Sequence, residues 1–570
     1  MNKLPVFHLR RPNLKTALFL TLATGPVLAD IPSLPTTPPL NNHAVPNLSR
    51  ETTFDLPAVA TTPVATTGTL GSNATVTLRR IVFRGHHALS TTSLNVLAQP
   101  YLNRPLNMDD LENLRQGITR HYVAQGYVNS GAVLGTDALH GDTLTLDIIE
   151  GRIVALRIQG LERLQEGYVL GRLVPDEKEA LNIDRLRERF QRLLDDPLFE
   201  RINARLTPGG QLGEAILDVD VVRARPYTLS IAANNYRPPS IGETAFNINS
   251  GVRNLTGFGD QLDLNLQHAD GTVGRSGLSW QMPLGSRGTR LSLQLDHGRS
   301  SVIEEPLQVL DIKSTLDSKE FGLSQTIHET LRDRVTLGGQ RVWRKNRTEL
   351  LGLPFSFVAG EPNGMTRTRS WRFWQEYTHR TEQDALALRS TFNWVRNNLQ
   401  DTAGLPVSGT QPAHSYLTWL GQAQYTRQIH AASGTQLILR GALQTTSRHL
   451  LALDQFSIGG ITTVRGYREN LMLRDRGATF NIEVDYPLIR TPGNGLNLSI
   501  IPFYDAGFGR NKNDTSETIS SIGIALRHRW QGSFVDLAVA HRLTYPEAIK
   551  TLQGSLQDKA VHLQMGYRFY

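Results

Sequence analysis

The residues of this chain best suited to do chemistry are an arginine and an aspartate. Arg465 stands in Val464-Arg465-Gly466-Tyr467, just after Phe456-Ser457-Ile458-Gly459-Gly460, and Asp505 stands in Phe503-Tyr504-Asp505-Ala506-Gly507. A carboxylate offers two oxygens that an arginine fork matches with two parallel hydrogen bonds. Gly466 lets the backbone turn sharply, and Tyr467 brings a ring able to pack on a wall. This is the chemistry of holding a segment in place, not of breaking a bond. The chain has no P-loop, no HExxH and no GxSxG, and it has no cysteine, which excludes disulfides, thiolate metal sites and a thiol nucleophile. His86-His87 reads as a surface pair, Asp109-Asp110 as helix-start charge, and Asp195-Asp196 as part of a turn before Pro197. No catalytic residue, cofactor or metal is expected.

These two residues need elements to position them. Beyond Arg225 helical periodicity ends and alternation begins: Leu262, Leu264 and Leu266 alternate with Asp263, Asn265 and Gln267. Roughly sixteen such strands run to the end of the chain, an even number that suits a single-chain transmembrane β-barrel. Asn254–Gly259, Leu284–Gly288, His328–Asp333 and Gln531–Gly532 read as short connections. Arg299–Asp317, Asn346–Thr368, Asn397–Ser415 and Ser447–Gly477 read as long ones. Short periplasmic turns alternating with long external loops are the habit of outer-membrane barrels, and they argue against a soluble sandwich of short strands. Arg465 then lies in the longest loop. Asp505 shares parity with polar Asn497 and Ser499 and faces the lumen, opposite to lipid-facing Leu496, Leu498 and Ile500. In the last strand Phe569 shares parity with Val561, Leu563, Met565 and Tyr567 and so faces lipid, and the ending Phe569-Tyr570 resembles the C-terminal signal by which outer-membrane barrels are recognised for insertion.

Upstream, residues 1–29 read as a secretory signal peptide: basic through Lys15, apolar from Ala17 to Leu28, with cleavage after Ala29. Arg10-Arg11 belongs to its basic start; a twin-arginine route would carry folded cargo, which a barrel is not. Residues 30–75 are a Pro/Thr-rich linker in which the window Asn47–Leu56 is a possible short plug helix. Residues 76–151 and 152–225 repeat one order of elements. The first has strand Thr77–Phe83, helix Asp109–Gln125, and strands Tyr127–Leu134 and Thr143–Glu150. The second has strand Ile153–Ile158, helix Ile183–Leu194, and strands Ile202–Leu206 and Ala215–Val222. Two small α+β modules followed by a barrel over 226–570 make the fold class mainly β.

Composition agrees. The chain is 39% hydrophobic with a mean hydropathy of −0.28, and beyond the leader it has no run near the ~18 apolar residues of a spanning helix. A barrel escapes that test because its lipid-facing residues alternate with lumenal ones. The pI near 9.6 does not indicate nucleic acid: part of the charge leaves with the leader and the rest is scattered.

With these residues in view, the chain resembles the outer-membrane transporters of two-partner secretion, the family that exports haemolysins and filamentous adhesins. The likeness lies in Arg104-Pro105-Leu106, Gly126-Tyr127-Val128-Asn129-Ser130, Glu150-Gly151-Arg152, Asn235-Tyr236, Asn254 through Asp260, Val464–Tyr467 and Arg476-Gly477. It implies two polypeptide-transport-associated (POTRA) modules, a sixteen-stranded barrel, and a loop folded into the pore whose arginine pairs with an aspartate, here Arg465 with Asp505. It further implies a large secreted exoprotein as partner (adhesin, haemolysin or contact-dependent toxin), the barrel assembly machinery, outer-membrane lipid, and location in the outer membrane with the modules in the periplasm. An assembly factor for other barrels, a passive channel and a barrel-anchored enzyme are the competing readings. The Pro/Thr linker, the two modules and the Arg465 loop favour a translocator.

Overall fold

The computed structural model describes residues 75–570, except 175, 177–178, 401–410, 492–494, 547–553 and 570, together with Phe54 and Asp55. The expected leader and nearly all of the linker lie outside the described residues. Of the window Asn47–Leu56, Phe54 and Asp55 are described, and they are extended, not helical. They pair in parallel with Ala204 and Arg205.

Each module packs two helices, a short one and a longer one, against a small sheet. In the first, Met108–Ala124 buries Leu111, Leu114, Ile118 and Tyr122, the 3.6-residue stripe visible in its sequence. Asn107 caps it, with Asp110 closing a reciprocal capping box. The stripe meets Leu78, Phe83, Leu144 and Leu146. The second module repeats this arrangement: Ile183–Leu194 buries Leu186, Phe190 and Leu193 against Ile202, Leu217 and Val219. The strand expected over Tyr127–Leu134 shrinks to Gly131–Val133. Its first residues instead close the preceding helix, with Tyr127 N–H donating to the Tyr122 carbonyl at 3.0 Å and Ser130 N–H to that of Tyr127 at 3.1 Å.

After the modules, sixteen long antiparallel strands close into a barrel, from Tyr227–Asn234 to Val561–Arg568, which pair with each other. Alternation sorts the faces as expected. In Asp333–Leu350, Val342, Arg344, Asn346 and Thr348 are buried inward while Trp343 is 41% exposed outward. Phe569 is likewise exposed, and Tyr570 lies outside the described residues. The loops are shorter than their sequence suggests. Lys313–Glu329 and Asp333–Leu350 carry the ladder on into residues that read as loop.

The second module docks on the near end of the barrel through the turn Asn254–Asp260. Asp260 organises that turn by accepting from Thr256 N–H at 2.9 Å, Thr256 Oγ1 at 2.7 Å and Trp280 Nε1 at 3.0 Å. Gln165 N–H then donates to the Gly257 carbonyl at 2.8 Å. The Tyr168 ring covers Gly259, its phenol donating to Asp196 at 2.5 Å and its face carrying Arg172 at 3.5 Å. Burial pushes the Tyr168 phenol up, so it stays a donor at neutral pH. Gly259 has φ +81, and a Cβ there would meet Tyr168 at 2.3 Å. Gly259→Ala is therefore expected to weaken docking by about 2–4 kcal/mol, from positive-φ strain plus overpacking. Limited proteolysis of membranes should cut the module–barrel junction faster in this variant; an unchanged digest would show that Tyr168 moves aside without cost.

Candidate functional site: the loop held inside the barrel

Residues 447–475 leave the wall after Thr435–Thr446 and return to it at Arg476–Arg490. Between these strands the chain folds back into the lumen. Its stem is a short hairpin, Phe456–Ile458 with Met472–Arg474. The stem and tip form an apolar cluster of Phe456, Ile458, Val464, Tyr467, Leu471 and Met472, which packs on Leu420 and Ile519 of the wall. Val464, Tyr467 and Ile458 are fully buried. Burial of this surface seats the loop; polar contacts decide its position.

Those polar contacts come from strand register. Asn481, Asp505, Ser521 and Arg542 lie opposite one another on four successive strands, making one lumenal row. Glu483, Phe503, Gly523 and Ala540 make the row beside it. Arg465 rests on both. Its Nε and Nη2 donate to the two oxygens of Asp505, each at 2.7 Å, and its backbone N–H donates to Asp505 Oδ2 at 3.0 Å. Nη1 lies 2.8 Å from Glu483, and the guanidinium stands 3.6 Å over the Phe503 ring. Asp505 also accepts from Asn481 at 2.8 Å, and the Arg465 carbonyl accepts from Ser521 Oγ at 2.6 Å.

Gly466 follows with φ +90, and a Cβ there would meet that of Ala540 at 2.7 Å, so the turn admits no side chain. Its N–H donates to His562 Nε2 at 3.1 Å, and its carbonyl accepts from Arg542 Nε at 2.5 Å. Tyr467 reaches through the cluster until its phenol lies 2.8 Å from the Ser520 carbonyl and 2.7 Å from that of Thr544. At the neck, fully buried Asp475 accepts from the N–H groups of Leu450 and Lys512, both at 2.9 Å, and from His449 Nδ1 at 2.8 Å.

The structure thus brings Val464, Arg465, Gly466, Tyr467 and Asp505 into one cluster, while Phe569 stands apart on the outer wall. Sequence reasoning missed Glu483, Asn481, Ser521, Arg542 and His562. A signal existed for two of them: Thr479, Asn481, Glu483 and Asp485 alternate with Ala478, Phe480, Ile482 and Val484, which marks their lumenal parity. The arrangement pins a segment of chain inside the barrel by an apolar cluster and by hydrogen bonds and ion pairs to the wall.

Comparison with known proteins supplies the family. The model for "Haemolysin secretion/activation protein ShlB/FhaC/HecB" matches residues 213–529, and that for "POTRA domain, ShlB-type" matches 76–151. The outer membrane transporter CdiB of Dickeya dadantii is 23% identical over 483 residues, covering 82% of this chain and 83% of that protein. The heme/hemopexin transporter protein HuxB of Haemophilus influenzae is 21% identical over 491 residues, covering 81% and 83%. Among solved structures, CdiB from Escherichia coli matches the fold with a TM-score of 0.67 at 19% identity, over 90% of this chain and 93% of that one. A match over more than half its length, on a closed barrel preceded by a POTRA domain, places this chain in the haemolysin secretion/activation family, the outer-membrane transporters of two-partner secretion.

Proposed function

We propose that this transporter takes up one large partner exoprotein as an unfolded chain on its periplasmic modules and passes it through the barrel, with the 447–475 loop guiding the cargo or moving to admit it. The observation that carries this reading is Arg465 in the lumen, held by Asp505 and Glu483. An element held by ion pairs inside a pore can be released without breaking a covalent bond. The modules act by strand addition, which recognises backbone and so tolerates many cargo sequences. The pairing of Phe54–Asp55 with the edge strand Phe199–Pro208 supports this, because that edge already receives an extended segment of chain. The cargo is an adhesin, a haemolysin or a contact-dependent toxin, and folding outside the cell draws it forward.

The test compares proteins released by the source cells with and without the gene. Loss of one large polypeptide from medium and surface, with other outer-membrane proteins unchanged, is expected and names the cargo. General loss of outer-membrane barrels would instead make the chain an assembly factor.

A further inference from the structure

The outer wall carries a feature that export of a polypeptide does not use. On the four strands Lys313–Glu329, Asp333–Leu350, Met365–Arg380 and Asp384–Asn397, outward residues lie in rows fixed by register. One row reads Phe321, Arg341, Trp371, Trp394; the next reads Lys319, Trp343, Arg369, Arg396; above it Lys345 faces Arg367. These strands rise from the periplasmic turn at 330–332 to the external loop at 351–364, so the rows lie toward the external end. Below them the same wall is apolar, with Leu323, Phe373, Phe392 and Leu388 exposed. The rows therefore follow the order of an outer interface: hydrocarbon belt, tryptophan girdle, then cations.

The charges on this face differ from those inside. Lumenal arginines of the same strands are paired: Arg344 with Asp454 at 3.0 Å, Arg372 with Glu320 at 3.2 Å, Arg389 with Glu376 at 3.5 Å. Outside, no carboxylate lies within ion-pair distance of Lys319, Arg341, Lys345, Arg367, Arg369 or Arg396 among the described residues. The nearby Asp317 is engaged by His297 at 2.8 Å. Trp371 and Trp343 instead hold Arg341, whose guanidinium lies 4.7 and 5.7 Å from their rings. Like charges gathered on a lipid-facing wall repel, although a lipid-facing arginine near the interface itself costs only about 0–1 kcal/mol. Asp317, in register with Lys345, offsets part of this charge, and anions from outside the chain can balance the rest.

We infer that this patch is a binding site for a multiply phosphorylated glycolipid of the outer leaflet, of the lipid A type. Its phosphates sit on Arg369, Arg396, Arg367 and Lys319, and its acyl chains run down the wall past Trp371, Phe373 and Leu388. Two features select a lipid over an acidic protein segment: the cations point sideways, and they continue directly into the apolar belt. Separated arginine forks on neighbouring strands favour a headgroup with two phosphates over one with a single phosphate.

The test uses the full-length protein in detergent micelles, titrated with bisphosphorylated lipid A, monophosphorylated lipid A and phosphatidylglycerol, with bound lipid read by native mass spectrometry. The bisphosphorylated lipid should bind best, and the double variant Arg369→Gln/Arg396→Gln should lose on the order of tenfold in affinity by removing two charge-assisted contacts. Arg427→Gln, at the periplasmic end of its strand, should bind as the parent does. Heat-modifiable migration in gels checks that each variant is a folded barrel. Equal binding of the three lipids, or equal binding by the double variant, would overturn the site. So would loss of cargo release from the double variant with its lipid binding intact, which would make the patch a protein-docking surface.

Discussion

Arg465→Ala is expected to cut export of the partner protein at least tenfold while the barrel still inserts and folds. The residue is 6% exposed, and its side chain engages both Asp505 oxygens, Glu483 and the Phe503 ring. Its removal leaves buried Asp505 without a cation, while Glu483 keeps Arg440 at 2.8 Å. Breaking a buried ion pair from one side costs about 3–5 kcal/mol, which at about 1.4 kcal/mol per decade shifts the docked loop by roughly two to three and a half orders of magnitude. The barrel ladders do not run through this residue, so the wall should persist. The parent chain has no cysteine, so one introduced at Thr463 reports cleanly on the loop. That thiol should be protected in the parent and labelled from outside in the alanine variant. Arg465→Lys should fall between the two, since an ammonium keeps the charge and loses the fork. Normal export with a freely labelled loop would refute any role for loop position in transport.

Sequence alone goes furthest where one element carries its own signal. The helix Ile183–Leu194 is legible to the residue, because Asn182 caps it and five buried side chains repeat at helical spacing. The eight-residue helices Thr91–Ala98 and Glu166–Leu173 bury only Leu94 and Ala98, and Val169 and Leu173, too few to show a period. Strand ends are hard to read for a similar reason. Polar residues line both faces where Lys313–Glu329 and Asp333–Leu350 rise above the apolar belt, so ladder and loop look alike there. The same limit applies to the site. Arg465 stands out among glycines and aromatics, and Asp505 interrupts an aromatic strand. Glu483, Asn481, Ser521 and Arg542 are ordinary lumenal polar residues. What makes them partners is the register of four strands, a long-range property that no local window contains.

The same loop reaches the seam of the barrel. First and last strands share five residue pairs, from Ser230 with Arg568 to Asn234 with Gln564, against eight between the first strand and its other neighbour. Above the last pair one further backbone bond, from Asn235 N–H to the Leu563 carbonyl at 3.1 Å, is joined by side chains. Buried Asn235 donates to the Val561 carbonyl at 2.9 Å and accepts from Leu563 N–H at 2.8 Å. Gln557, fully buried, donates to the carbonyls of Asn235 and Arg237, both at 2.6 Å, and accepts from Glu469 N–H of the loop at 2.8 Å. Arg468, next to Glu469, holds Asp558 at 2.6 Å. The seam is therefore closed partly by amides that the docked loop itself positions. Asn235→Ala/Gln557→Ala leaves several buried backbone groups unpartnered, at about 1–3 kcal/mol each. That loss should lower the temperature of heat-modifiable unfolding and raise the frequency of channel opening in planar bilayers. Adding Ala233→Cys and Met565→Cys, opposite each other across the seam, separates the two possible routes of current. Oxidation should return the quiet behaviour of the parent if the seam is what opens. Openings that persist across a formed disulfide would place the conducting path in the lumen, past the loop, and leave the seam amides with a purely structural role.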